Sequence, residues 1–296
     1  EMSVQSRWVR WWIPLIGALL FAPLWAVAAQ PAVVASIKPV HALVAGVMLG
    51  VGEPRLLVAG GASPHEYSLK PSDGRALGAA QVVFWIGPAL ENFLVKPLAN
   101  APAARSVALL TAPGVTVLPL REGGVWEAHD EAHDHAHDLT ASHDAHVWLD
   151  PVNAIAMVRQ IVAVLGAADP AHQAVYARNG AALVERLERL NQQLAAALAP
   201  VRTRPYLVFH DAYQYFERRY GLNAVGSVVL SPEQRPGAKR VAEIQARVRE
   251  RKVRCVFSEP QFQPALVATI IAGSAARQGV LDPLGAELPA GPDAYF

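Results

Sequence analysis

Three histidines and one aspartate, far apart in the sequence, are the residues best placed to do chemistry together. His65 lies in Gly60-Gly61-Ala62-Ser63-Pro64-His65-Glu66-Tyr67, shortly after the run 55–59; His210 ends Tyr206-Leu207-Val208-Phe209, and Asp282 ends Gly279-Val280-Leu281. His146 opens His146-Val147-Trp148-Leu149-Asp150-Pro151, just before a predicted helix. In open α/β sheets the loops beyond the carboxyl ends of strands line the ligand crevice, so these four side chains can converge. Three imidazoles and one carboxylate make an N3O donor set with bonds of about 2.0–2.2 Å, which suits Zn²⁺. Each residue also has an ordinary reading. His210 beside Asp211 could be a satisfied core histidine, Asp150 and Asp211 read as helix caps, and Asp282 before Pro283 could form a turn. Glu66 is the rival carboxylate and Glu259, before Pro260, a weaker one.

A second cluster of imidazoles fills residues 127–144, which hold His129, His133, His135, His137 and His143, half of the ten histidines of the chain. The segment lacks apolar periodicity and is predicted to be a surface loop. Imidazoles interleaved with carboxylates offer loose sites for zinc, copper or nickel, against the plainer reading of a solvated charged loop. Glu131 between His129 and His133 is not in the His-Glu-x-x-His register of a zinc protease.

Composition narrows the function further. The chain has 296 residues, 52% of them hydrophobic and 17% charged, with a formal net charge of +1. It is too apolar for a disordered chain and long enough for one globule or two lobes. Residues 11–29 carry no charge, follow Arg7 and Arg10, and end in Ala26-Val27-Ala28, the pattern of a signal peptide cleaved near residue 29. A membrane anchor is the alternative, but Pro14, Pro23 and the small-residue end favour cleavage. Removal takes away Arg7, Arg10 and Glu1 and leaves a formally neutral chain, so no basic field for nucleic acid is expected. One cysteine, Cys255, excludes an internal disulfide and any multi-thiolate metal site.

The elements that must position the four side chains follow from pattern. Short apolar runs at 33–37, 55–59, 82–86 and 115–118, alternating with helical stretches, predict a first α/β lobe with a largely parallel sheet. Runs at 206–209, 224–228, 255–258 and 279–281, with helices near 211–220, 237–251 and 264–276, predict a second. Asp150-Pro151 and Asp169-Pro170 each place a capping carboxylate before a proline at the first helical position. The run from Pro170 to Ala199 would reach about 45 Å as a helix. The expected organisation is a signal peptide at 1–29, a first lobe at 30–168, a linking helix at 169–199 and a second lobe at 200–296. A helix continuous through both lobes resists hinge motion, so domain closure should be small.

Six motifs in order carry a resemblance over nearly the whole chain after the signal segment. They are 64–73 (Pro-His-Glu-Tyr-Ser-Leu-Lys-Pro-Ser-Asp), 85–91 (Trp-Ile-Gly-Pro-Ala-Leu-Glu), 146–151 (His-Val-Trp-Leu-Asp-Pro), 209–213 (Phe-His-Asp-Ala-Tyr), 258–262 (Ser-Glu-Pro-Gln-Phe) and 281–285 (Leu-Asp-Pro-Leu-Gly). The chain resembles the periplasmic metal-binding components of bacterial ABC importers, in the zinc-uptake branch of the cluster A-I solute-binding proteins. That resemblance implies two α/β lobes with a metal site between them, built from His65, His146 and His210, with Asp282 as fourth ligand or as a neighbour of the ligands. It implies delivery of the ion to an integral-membrane permease driven by a cytoplasmic ATPase, by a monomeric periplasmic receptor that is not an enzyme. Manganese-binding relatives are expected to carry a carboxylate where His210 sits, and a third imidazole favours zinc. The family also implies a metal-capturing role for the histidine-rich loop. Zinc-binding members often carry a disulfide from the region of Cys255 to a C-terminal cysteine. This sequence ends at Phe296 without the last helix the resemblance implies, so either the chain is truncated or Cys255 is a free thiol.

Two other functions fit the same residues. A zinc hydrolase would use three histidines and an open position for water, with Glu66 or Glu259 as base. A periplasmic zinc buffer or chaperone would bind mainly through the loop.

Overall fold

The computed structural model describes residues 30–101, 103–121, 143–229, 236–262 and 265–296. The expected signal peptide and His129, His133, His135 and His137 lie outside the described residues. Two four-stranded sheets, both wholly parallel, form the two lobes. The first comprises β1 (Val33–Ala35), β2 (Arg55–Leu56), β3 (Val82–Trp85) and β4 (Arg105–Ala108), in the order β2-β1-β3-β4. The second comprises β5 (Tyr206–Val208), β6 (Ala224–Ser227), β7 (Cys255–Ser258) and β8 (Arg277–Val280), in the equivalent order β6-β5-β7-β8. The first strand of each sheet connects first to one side and later to the other. Each lobe therefore has a switch point, at β1/β3 and at β5/β7, where adjacent loops diverge and leave a crevice.

Helices cover the sheets because parallel strands need apolar partners on their faces. In the first lobe these are α1 (Lys38–Met48), α2 (Pro71–Ala79), α3 (Asn92–Ala99) and α4 (Pro151–Ala168). The second lobe carries α6 (Gln214–Tyr220), α7 (Ala238–Glu250) and α8 (Ala265–Ile271). Asp150 caps α4 as expected, its carboxylate accepting Val152 N–H at 2.9 Å, with Pro151 at the first helical position. Asp169 makes no such cap; its carboxylate instead accepts from the Tyr176 hydroxyl and faces His172 Nδ1, each at 2.7 Å.

The fourth strand of the first sheet is β4, not the run 115–118. Val115-Thr116-Val117 has the composition of a strand, but its backbone is satisfied elsewhere. Thr116 N–H donates to the Asn153 side-chain oxygen at 2.8 Å, Asn153 returns a bond to Thr116 O, and Leu118 N–H donates to the Tyr215 hydroxyl. Arg105-Ser106-Val107-Ala108 carries a weak strand pattern but sits at a sheet edge, where pairing with β3 decides its conformation.

The long helix α5 (Gln173–Leu198) runs for 26 residues, about 39 Å, after a 3₁₀ turn at Pro170–His172. Its buried side chains Tyr176, Leu183 and Leu187 belong to the core of the first lobe, and Asn191 further on accepts from the Tyr220 hydroxyl of α6. Gly180 permits close approach to α4, since a β-carbon there would meet Val162 Cγ2 at 2.3 Å. After β8 the chain returns to the first lobe: Leu284 and Tyr295 pack on its core, and Asp293 and Phe296 meet Arg186 of α5.

Candidate metal centre

His210 lies two residues beyond the end of β5 and sits at the β5/β7 switch point of the second lobe, opposite Glu259, which follows β7. His65 comes from the loop after β2, where its backbone N–H is held by Ser63 Oγ. His146 precedes the 3₁₀ turn Val147–Leu149 and α4. Its segment is fastened to residues 118–119: Asp144 N–H donates to Leu118 O, the Tyr215 hydroxyl donates to Asp144 O, and His143 bridges to Pro119.

These elements bring His65, His146 and His210 together, with one ring nitrogen of each lying within 4.8 Å of the others. Ring centroids are 5.4 Å apart for His65–His146, 5.9 Å for His65–His210 and 5.3 Å for His146–His210. His146 and His210 are buried, and His65 is half-buried. Pro64, Trp148, Phe262, Pro283 and Leu284, together with Ser63, Glu259 and Gln261, form the remaining walls of a cavity of about 20 Å³. That space is large enough for one ion or water molecule.

The two buried rings are oriented by carboxylates. His146 Nδ1 lies 2.7 Å from Asp144 Oδ1, and His210 Nδ1 lies 2.8 Å from Glu259 Oε1. With these carboxylates ionised they only accept, and in that state Nδ1 of each ring carries the proton and Nε2 keeps its lone pair. The two Nε2 atoms face each other at 3.4 Å. Two lone pairs that close repel unless a cation or proton lies between them. Two ligands on a tetrahedral ion with bonds of 2.0–2.1 Å are separated by about 3.3–3.4 Å, which is the spacing found. Carboxylates behind the imidazoles fix the tautomer and raise ligand basicity.

Electrostatics favour neutral rings at two of the three positions. Burial lowers His146 to about 3, helped by the neighbouring His210, and burial with both neighbouring histidines holds His65 well below its usual value. Burial also penalises the charged form of His210, but the Glu259 charge and hydrogen bond outweigh it and raise this ring. Burial lifts Asp144 to about 7.

Asp282 is not part of the cluster. Its Oδ1 accepts from Gln261 Nε2 at 3.2 Å and Leu284 N–H at 3.1 Å, and its Oδ2 accepts Ala286 N–H. The carboxylate thus closes its own turn. Glu66 is exposed and outside the cluster, whereas Glu259 stands at the Nδ1 edge of His210, away from the facing Nε2 atoms. His143 is described but does not join the three histidines. Sequence reasoning missed the orienting roles of Asp144 and Glu259. The Asp-x-His spacing of 144–146 was a usable signal; nothing local links Glu259 to His210, which meet through strand order.

The equivalent crevice of the first lobe carries a carboxylate. There Glu91, fully buried, accepts from Ser36 Oγ and from the N–H groups of Ile86 (3.2 Å) and Gly87 (2.9 Å), and burial raises it to about 7. Arg121, just before the histidine-rich segment, reaches the second lobe, binding Asp211 with two nitrogens and Glu217 with a third at 2.6 Å.

Residues 33–296 match the family described as zinc-uptake complex component A, periplasmic. The chain belongs to this family. The high-affinity zinc uptake system protein ZnuA of Brucella abortus is 48% identical over 289 residues, covering 89% of this chain and 86% of the relative. Among solved structures, a crystal structure of ZnuA superposes with a TM-score of 0.74 at 27% identity, covering 88% of this chain and 93% of that one. A deletion mutant of ZnuA solved with zinc bound gives a TM-score of 0.73 at 27% identity, covering 90% and 93%. The two-lobed ZnuA-type fold expected from the sequence is the fold observed.

Proposed function

We propose that this protein is a periplasmic receptor that captures Zn²⁺ between its lobes and delivers it to an integral-membrane ABC permease driven by a cytoplasmic ATPase. The observation that carries this reading is the pair of Nε2 atoms facing at 3.4 Å, each ring fixed from behind by a carboxylate, with His65 beside them. His65, His146 and His210 are the proposed ligands. The choice of zinc is supported by three nitrogen donors and by the zinc-uptake relatives. Asp282 is assigned to the turn that carries the Pro283–Leu284 wall rather than to the ion, since its oxygens hold the turn 282–286. Cleavage near residue 29 would release the receptor into the periplasm as a monomer, with lobes at 30–168 and 200–296 joined through 169–199.

The receptor is proposed not to be an enzyme. This reading is supported by the orientation of Glu259, whose Oε1 is held at the Nδ1 edge of His210 rather than beside the facing Nε2 atoms. The test is competitive titration of metal-free protein with Zn²⁺ and Mn²⁺, counting bound ions, in the parent and in His210→Ala and Asp282→Ala. One tight zinc site lost in His210→Ala and weakened less in Asp282→Ala supports the assignment. Tight binding unaffected by His210→Ala refutes it. Deleting residues 129–143 separates receptor from buffer: a receptor keeps its tight site, a buffer loses most of its binding.

A further inference from the structure

Lys38 is the one ammonium in a stretch of the first lobe where almost every side chain is buried and apolar. It opens α1 at the carboxyl end of β1 and is itself 5% exposed. A buried ammonium is costly unless its protons are satisfied, and here three backbone carbonyls satisfy them. Nζ donates to Gly285 O at 2.6 Å, Ala286 O at 2.8 Å and Leu288 O at 2.8 Å, all in the segment that follows β8 of the second lobe. The carbonyls of this turn face Lys38 while its amides face Asp282, which accepts from Leu284 and Ala286 N–H. Gly285, at φ +64°, allows the chain to reverse between them. A second tie from the first lobe holds the same turn, the Trp148 Nε1 bond to Pro283 O at 2.7 Å.

The turn matters because Pro283 and Leu284 are walls of the histidine cavity. Lys38 itself does not line that cavity. We propose that Lys38 is a positioning residue for ion retention: by gripping the 285–288 carbonyls where the chain returns from the second lobe, it keeps the Pro283–Leu284 wall closed over the three histidines. The proposal rests on the reading of these histidines as the zinc site. Its consequence is kinetic. Lys38 controls how fast a bound ion escapes, through a wall it holds but without touching the ion.

The experiment is stopped-flow release of bound Zn²⁺ into excess chelator, comparing the parent with Lys38→Met, Lys38→Gln and Asn179→Ala. Lys38→Met keeps side-chain length and removes the charge; Asn179→Ala removes bonds to Val47 O and Leu49 O at the other end of α1, away from the cavity and the turn. Release is expected to quicken roughly tenfold or more in Lys38→Met and in the same direction in Lys38→Gln, because interface changes act mainly through off-rates. The Co²⁺ absorption spectrum, which reports the donor set, should stay that of the parent. Release unchanged in Lys38→Met, or quickened as much by Asn179→Ala, overturns the proposal; if Lys38→Met does not fold, unchanged release in Lys38→Gln overturns it. Failure of the underlying zinc reading looks different: the parent's Co²⁺ spectrum and tight binding would then be insensitive to His210→Ala.

Discussion

Replacing Glu259 by alanine should weaken zinc binding without removing a ligand. In the folded protein Glu259 is 2% exposed and its Oε1 accepts the His210 Nδ1 proton at 2.8 Å. Without it the ring loses the partner that fixes its tautomer, and Nε2 loses the basicity that a carboxylate behind it supplies. Outer-shell partners of this kind are worth about 10- to 100-fold in metal affinity, equivalent to about 1.4–2.8 kcal/mol. Glu259→Gln keeps an oxygen that can accept the Nδ1 proton while removing the charge, so it should lose less than Glu259→Ala. The variant should also titrate differently. The Glu259 charge and hydrogen bond are what hold His210 above its usual value against burial, so their loss should move His210 downward and make binding less sensitive to mild acid. Competition with a chelator of known affinity at two pH values, one neutral and one mildly acidic, measures both effects. Neutral-pH affinity in Glu259→Ala equal to that of the parent would refute the orientation argument.

Other consequences can be checked on the same material. Metal binding should release up to two protons per ion as pH falls below about 6.5, one from the raised His210 and one from Asp144 near 7, while His146 at about 3 and the lowered His65 add none; calorimetry in buffers of different ionisation enthalpy counts them, and a release of three or more contradicts the assignment. Glu91 is raised from 4.5 to about 7, so the folded state holds its proton more tightly than the unfolded chain, and the stability this provides at low pH is lost as pH rises through 7. Glu91→Gln should therefore flatten the stability–pH profile between these values by roughly 3 kcal/mol, and urea denaturation across that range would show an unchanged slope if the reasoning is wrong. Asn153→Ala should cost about 1–3 kcal/mol by orphaning the Thr116 backbone; a loss below about 0.5 kcal/mol would mean the segment finds other partners.

Much of the architecture was legible because local and global signals agreed. β3 and β7 lie where apolar β-branched runs put them, and Asp150-Pro151 starts a helix by satisfying its own first-turn amide. The run 115–118 misled because strand composition reports extended backbone, not which partner satisfies it; Asn153 and Tyr215, distant in sequence, took the role of a neighbouring strand. The three histidines were found by their places after strands or before a helix. Asp282 was found as a turn carboxylate as well as a ligand candidate, and the turn is what its oxygens serve. What pattern reading could not supply was pairing across the sheet: Glu259 meets His210 because β5 and β7 are adjacent, and Lys38 meets the 285–288 carbonyls because the chain returns to the first lobe after β8. Neither link leaves a trace within a local window.

The central claim is that one zinc ion sits among His65, His146 and His210. An anomalous difference map at the zinc absorption edge, from crystals grown with one equivalent of Zn²⁺, tests it most directly. The account predicts a single strong peak about 2.0–2.1 Å from Nε2 of His146, Nε2 of His210 and a ring nitrogen of His65, with Asp144 and Glu259 still on the Nδ1 edges. A peak elsewhere, or one bonded to these rings through Nδ1 with the carboxylates displaced, would contradict it.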